Sequence, residues 1–134
     1  MATSNAPQSQ AGGCLCGAVR YVTTGPPLNV RVCHCHTCRK ITGSAFFARA
    51  MFRREAVTVT GETAAYASSE DLLRRFCPVC GSVLFADRGD LLSVTLGTLD
   101  DPDALPPQAQ VFVSRQVAWL PLDPELPCYD EWVS

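Results

Sequence analysis

Cys33-His34-Cys35-His36-Thr37-Cys38 is the stretch on which the reading of this chain turns. Three thiols so closely spaced exceed what ordinary packing asks for, and thiolates two and three positions apart can converge on one tetrahedral ion. Zinc is the first candidate and iron the second. Three thiolates leave a fourth position vacant unless another residue fills it, and an open position separates a catalytic zinc site from a structural one. His34 and His36 flank Cys35, but alternate residues of an extended segment point apart, so both cannot easily reach the same ion. Hydrogen bonding is favoured over ligation for them, with simple exposure at a helix start as the alternative for His36.

Outward from this cluster, Phe76-Cys77-Pro78-Val79-Cys80-Gly81 has the spacing of a zinc knuckle and needs two more ligands. Gly12-Gly13-Cys14-Leu15-Cys16-Gly17 offers them in a backbone that glycines leave free to wrap an ion. Cys14, Cys16, Cys77 and Cys80 would close one structural site and tie distant segments together, leaving Cys33, Cys35 and Cys38 for a second ion. The alternatives are a single zinc on the central trio plus a distant cysteine, an iron–sulfur cluster, a disulfide framework, or thiols that are merely buried. Cys128, isolated among prolines, reads as a bystander.

The rest of the chain reads as short strands. Residues 18–24 alternate, with Val19, Tyr21 and Thr23 on one face, before Gly25-Pro26-Pro27 ends the run. Residues 28–32 lead into the central cluster, and a turn or two of helix is expected over 36–42 before Gly43-Ser44. Further strands are expected within 45–52 and at 57–61, 64–67, 72–76, 82–86, 91–96 and 110–114, separated by Gly, Pro and Asp signals. Residues 100–107 and the proline-rich end read as loop and extended chain, the latter pinned by Trp119, Leu122, Tyr129 and Trp132. The fold class is therefore mainly β, in a single small domain over 12–134 preceded by a flexible tail over 1–11.

With 47% hydrophobic and 18% charged residues, the composition is that of a folded globular chain and reaches neither disorder nor a membrane span. The formal charge of −2 becomes about −5 once seven thiols ionise on two zinc ions. That balance argues against nucleic acid as a partner. The polar start lacks a secretory signal, so a reducing, cytoplasmic setting is expected, where thiols bind metal in preference to cross-linking.

Gly13-Cys14-Leu15-Cys16-Gly17, Cys33 to Lys40 with Gly43-Ser44-Ala45-Phe46, and Phe76 to Ser82 together resemble the glutathione-dependent formaldehyde-activating enzyme family, which also includes centromere protein V. The resemblance runs from Gly12 to Trp132 and takes in Gly97-Thr98-Leu99-Asp100 and the segment from Pro107 to Trp119. It implies a β-tent of twisted antiparallel sheets, a structural zinc on Cys14, Cys16, Cys77 and Cys80, and a catalytic zinc on Cys33, Cys35 and Cys38. It also implies a carbon–sulfur lyase that reversibly forms S-hydroxymethylglutathione from glutathione and formaldehyde.

The residues themselves suit thiol chemistry, because a Cys₃ zinc is a modest Lewis acid that readily exchanges a thiol ligand. Arg31, Arg39, Lys40 and Arg49 are candidates for meeting substrate carboxylates. Two other functions compete: a zinc-stabilised binding module with both sites closed, and a metal-handling protein that loads and releases zinc at the central trio.

Overall fold

Residues 9–133 are described by the computed structural model. The alternation over 18–24 has the expected consequence: Val19, Tyr21 and Thr23 are buried, while Arg20, Val22 and Thr24 are exposed. Arg20–Thr24 is strand β2, paired antiparallel with β1 (Ser9–Gly13) on one side and β5 (Val57–Thr60) on the other. These three make a small sheet. Residues 9–11, expected in the flexible tail, thus belong to β1, while positions 1–8 lie outside the described residues. Their small, polar side chains carry no alternation of their own, and the strand forms because β2 offers it a complete ladder.

A larger sheet holds β3 (Asn29–Cys33), β4 (Phe47–Arg53), β6 (Ala64–Ser69), β7 (Leu72–Phe76), β8 (Val83–Asp87), β9 (Leu91–Thr95) and β10 (Ala109–Val111), in the order β10-β3-β4-β9-β8-β7-β6. Its neighbours are antiparallel except β10, which runs parallel to β3. The expected antiparallel sheets are thus found, with this one parallel pair added. The long proline-rich connection over 100–108 lets the chain cross back before pairing, which a tight hairpin cannot do.

The two faces of the large sheet differ in chemistry. Val30, Ala50, Phe52, Leu92 and Val94 turn to one side and join Val19 and the small sheet's Tyr21 and Val57 in the main core. There Tyr21 meets Phe85 edge to face with ring centroids 5.3 Å apart. The period of two then sends Arg31, Cys33, Phe47, Arg49 and Ser93 to the opposite side, where a second cluster gathers Cys33, Cys38, Phe47, Leu72, Ala86 and Val111.

The chain end lies along β10 in extended form. Gln110 N donates to the Pro127 carbonyl and Tyr129 N to that of Gln110, each at 2.9 Å. Of the anchors expected there, Tyr129 packs on the second cluster and Trp132 meets Phe112 with centroids 4.7 Å apart. Trp119 does not, being 73% exposed. Among the described residues no helix is long and apolar enough to cross a membrane.

Candidate metal centres and the cavity beside them

Cys14 and Cys16 sit in the turn between β1 and β2, and Cys77 and Cys80 in the turn between β7 and β8. Their four sulfurs lie within 4.8 Å of one another. Cys14 Sγ is 3.6 Å from Cys16 Sγ, and Cys16 Sγ is 3.8 Å from Cys77 Sγ. Zinc–sulfur bonds of about 2.3 Å in a tetrahedron set an edge of about 3.8 Å, so these residues fit that ion. Backbone amides point at two of the sulfurs. Val19 N donates to Cys14 Sγ at 3.2 Å, and the amides of Val79 and Cys80 donate to Cys77 Sγ at 3.4 and 3.5 Å. The Ser82 hydroxyl, 3.2 Å from Cys80 Sγ, heads the contacts that pull the Cys80 thiol down to about 5. The site joins a turn of the small sheet to a turn of the large one.

The central trio is assembled by a strand end and a helix start. Cys33 closes β3, and helix α1 (His36–Thr42) follows with Cys35 as its N-cap, the Sγ accepting from Cys38 N at 3.3 Å. Gly43, at φ 66°, ends the helix in the left-handed conformation that a side chain disfavours. The three sulfurs again lie within 4.8 Å of one another, with Cys33 and Cys38 buried. Hydrogen bonds with Cys33 and then Cys38 hold the Cys35 thiol far below its usual range, while contacts with Cys35 and then Cys38 push Cys33 up.

Neither histidine belongs to either sulfur group among the described residues. His34 is buried, its Nε2 2.9 Å from Gln110 Oε1, and His36 is exposed on the first residue of α1. This is the hydrogen-bonding role expected for His34 and the exposed one for His36. Cys128 stands outside both groups on the chain end, 3.8 Å from Gln110 Nε2.

Cys33 and Cys38 open onto a cavity of about 160 Å³ whose wall also carries Arg31, Arg49, Arg74 and Arg88. Arg31 and Arg49 were expected near the site, and they stand opposite one another on β3 and β4. Arg39 and Lys40 were expected there too and lie elsewhere. Arg39 Nε donates to the His34 carbonyl, and Lys40 lines a separate hollow beside Tyr66. Arg74 and Arg88 escape a reading of local sequence because β7 and the β8–β9 turn reach the trio only through the sheet order. The one local signal is the alternation of Leu72 and Arg74, both of which face the cavity. Both terminal nitrogens of Arg74 are 3.9 Å from Cys38 Sγ, and its guanidinium lies 5.7 Å from the Phe47 ring centroid.

A family profile described as glutathione-dependent formaldehyde-activating enzyme matches residues 9–115. The chain belongs to that family. A Schizosaccharomyces pombe protein described as an uncharacterized lyase is 34% identical over 74 residues, which is 55% of this chain and 54% of the relative. The chain thus spans about half the length of that curated relative. A crystal structure of a Rhodobacter sphaeroides protein superposes with a TM-score of 0.57 at 21% identity, covering 88% of this chain and 98% of that one, a likeness of fold. Within the family's matched span fall all seven cysteines of the two sulfur groups and the four arginines of the cavity, whereas Trp132, also on the cavity wall, lies beyond it.

Proposed function

We propose that this chain is a zinc-dependent carbon–sulfur lyase acting on a small thiol–aldehyde adduct of the S-hydroxymethylglutathione type. In this reading Cys14, Cys16, Cys77 and Cys80 hold a structural zinc, and Cys33, Cys35 and Cys38 hold a catalytic one. The observation that carries it is the asymmetry of the two sulfur groups: four thiols complete one tetrahedron, whereas the trio supplies three and opens through Cys33 and Cys38 onto a concave, cation-lined cavity. A zinc ion held by the trio would supply a docking point for the substrate sulfur and positive charge near the reacting carbon.

The residues of the chain do the rest. In the cleavage direction the carbon–sulfur bond of the adduct breaks, its electron pair goes to sulfur, and the hydroxyl proton is lost as the carbonyl forms. Sulfur regains a proton on release, so the step needs no oxidant or reductant. Arg74, beside Cys38, offsets the negative charge that builds on sulfur, and the arginines of β3 and β4 orient the rest of the substrate. Burial of Cys33 and Cys38 limits access of bulk water to them and strengthens these interactions. Thiols kept reduced for metal binding support a cytoplasmic setting.

Formaldehyde and glutathione combine without help, so the informative quantity is the rate of approach to equilibrium. Exchange spectroscopy on zinc-loaded protein should show interconversion above that in buffer with free zinc. Cys38→Ser should abolish the excess while leaving the fold intact, because the four-thiol site is untouched. Wild-type protein that never exceeds the free-zinc background with several small thiols sinks the lyase reading and leaves a zinc-stabilised binding module.

A further inference from the structure

The cavity beside the trio carries more positive charge than the trio can answer. Arg49 and Arg74 are 7% and 6% exposed, and burying a guanidinium is costly unless an anion meets it. Among the described residues no ion pair forms to Arg31, Arg49 or Arg74, and Arg88 has only the exposed Asp71 at 3.8 Å. Arg49 donates to Asn29 Oδ1, and Arg74 Nε donates to Ser68 Oγ at 3.1 Å, so their polar partners there are neutral apart from the Cys38 sulfur. Three thiolates around a divalent ion leave about one net negative charge, too little for four guanidiniums.

The arrangement also runs against the stability of the sheet. Arg31 and Arg49 are direct cross-strand partners on the same face, a position where like charges repel. Burial first, and then the charge of Arg31, pull Arg49 down to about 10. Among the described residues no aspartate or glutamate lines the cavity, so no carboxylate there pairs with a substrate ammonium group. Its volume of about 160 Å³ lies below the roughly 300 Å³ at which pockets enclose a drug-sized ligand.

We propose that the cavity selects a compact thiol bearing at least two negative groups, held by Arg31, Arg49, Arg74 and Arg88, over neutral thiols and over a bulky thiol with an ammonium group such as glutathione. The thiol end of this assignment rests on the lyase reading; the anion end stands on the arginines alone. Arg31 and Arg49 face one another on the β3–β4 side of the cavity, while Arg74 stands beside Cys38.

Calorimetry on zinc-loaded protein at fixed, low salt tests this with four thiols and one control: mercaptosuccinate, thioglycolate, 2-mercaptoethanol, glutathione, and succinate, which lacks sulfur. Mercaptosuccinate should bind about tenfold or more tightly than 2-mercaptoethanol, with thioglycolate between them, since each added guanidinium–carboxylate pair contributes on that scale. Arg31→Ala and Arg88→Ala should each lower mercaptosuccinate affinity about tenfold and leave 2-mercaptoethanol unchanged. Equal affinity of the wild type for mercaptosuccinate and 2-mercaptoethanol overturns the proposal without recourse to any variant. Tighter binding of glutathione than of mercaptosuccinate also overturns it. Measurable succinate binding that Arg31→Ala weakens supports the anion site even if no adduct is ever turned over, and the lyase reading then fails alone.

Discussion

Asp87 shows how one residue ties strands together outside the metal centres. Its carboxylate is 4% exposed and meets Arg54 at 2.5 Å and Arg75 at 2.6 Å, with the Gly89 amide donating to it at 2.9 Å. Burial alone raises its pKa, but the hydrogen bond from Arg75, then those from Gly89 and Arg54, lower it below the usual 3.8 overall. A carboxylate depressed by folding contributes stability that is full above its unfolded value and lost as pH falls through the lower folded one. The urea midpoint should therefore fall as pH drops below 3.8, and Asp87→Asn should flatten this part of the profile. The same substitution should cost about 3 kcal/mol at neutral pH, toward the lower end for a broken buried pair because Arg54 is half exposed. An unchanged midpoint in Asp87→Asn contradicts this role. Local sequence shows an Asp before Arg88-Gly89, a turn signal, but neither partner, since Arg54 and Arg75 come from other segments.

At the scale of elements, the β1–β2 hairpin depends on the absence of a side chain at Gly12. A Cβ there would overlap Tyr21 Oη, and the Thr98 carbonyl lies at a 2.5 Å separation that real Cβ contacts do not show. Neither neighbour can yield freely. Tyr21 is 1% exposed and bonded to Thr98 Oγ1 at 2.7 Å, and the carbonyl is backbone. Gly12→Ala should therefore destabilise by about 2 kcal/mol, the scale of an overpacked core position, measurable as a lower urea midpoint with an unchanged slope. A midpoint equal to wild type would show that β1 shifts without cost. The glycines around Cys14 and Cys16 are legible as a metal loop, yet this second duty of Gly12 is not, because it arises from contact with the Leu96–Thr98 turn across the sheet.

For the molecule as a whole, the four-thiol site joins the two sheets, and the trio does not. Cys14 and Cys16 belong to the small sheet's first turn, Cys77 and Cys80 to a turn of the large sheet, and zinc bound there would restrain the two as one unit. Elemental analysis of reconstituted protein should approach two zinc ions per chain, and a graded chelator should remove the trio's ion first, since four thiolates retain zinc better than three plus solvent. Loss of the second ion should coincide with loss of structure. Cys77→Ser should lower Tm substantially where Cys38→Ser changes it little; equal Tm values for Cys77→Ser and wild type would contradict the staple.

The cysteine spacings, the alternating strands and the short helix at 36–42 were legible from the sequence because each depends on residues within one turn or one strand. Cys-x-x-Cys reaches one ion whatever surrounds it, and Val19, Tyr21 and Thr23 share a face by strand period alone. The grouping of Cys14 and Cys16 with Cys77 and Cys80 was one of the foursomes the sequence allowed, and the structure brings those four sulfurs together. The cavity did not. Arg31 and Arg49 become partners only through register, Arg74 reaches Cys38 only because β7 sits three strands from β4, and β1 gains its strand only from β2. Hydrogen-bond ladders between distant segments decide which faces meet, and it is that choice, made in the tertiary structure, that places four arginines around an open set of three thiols.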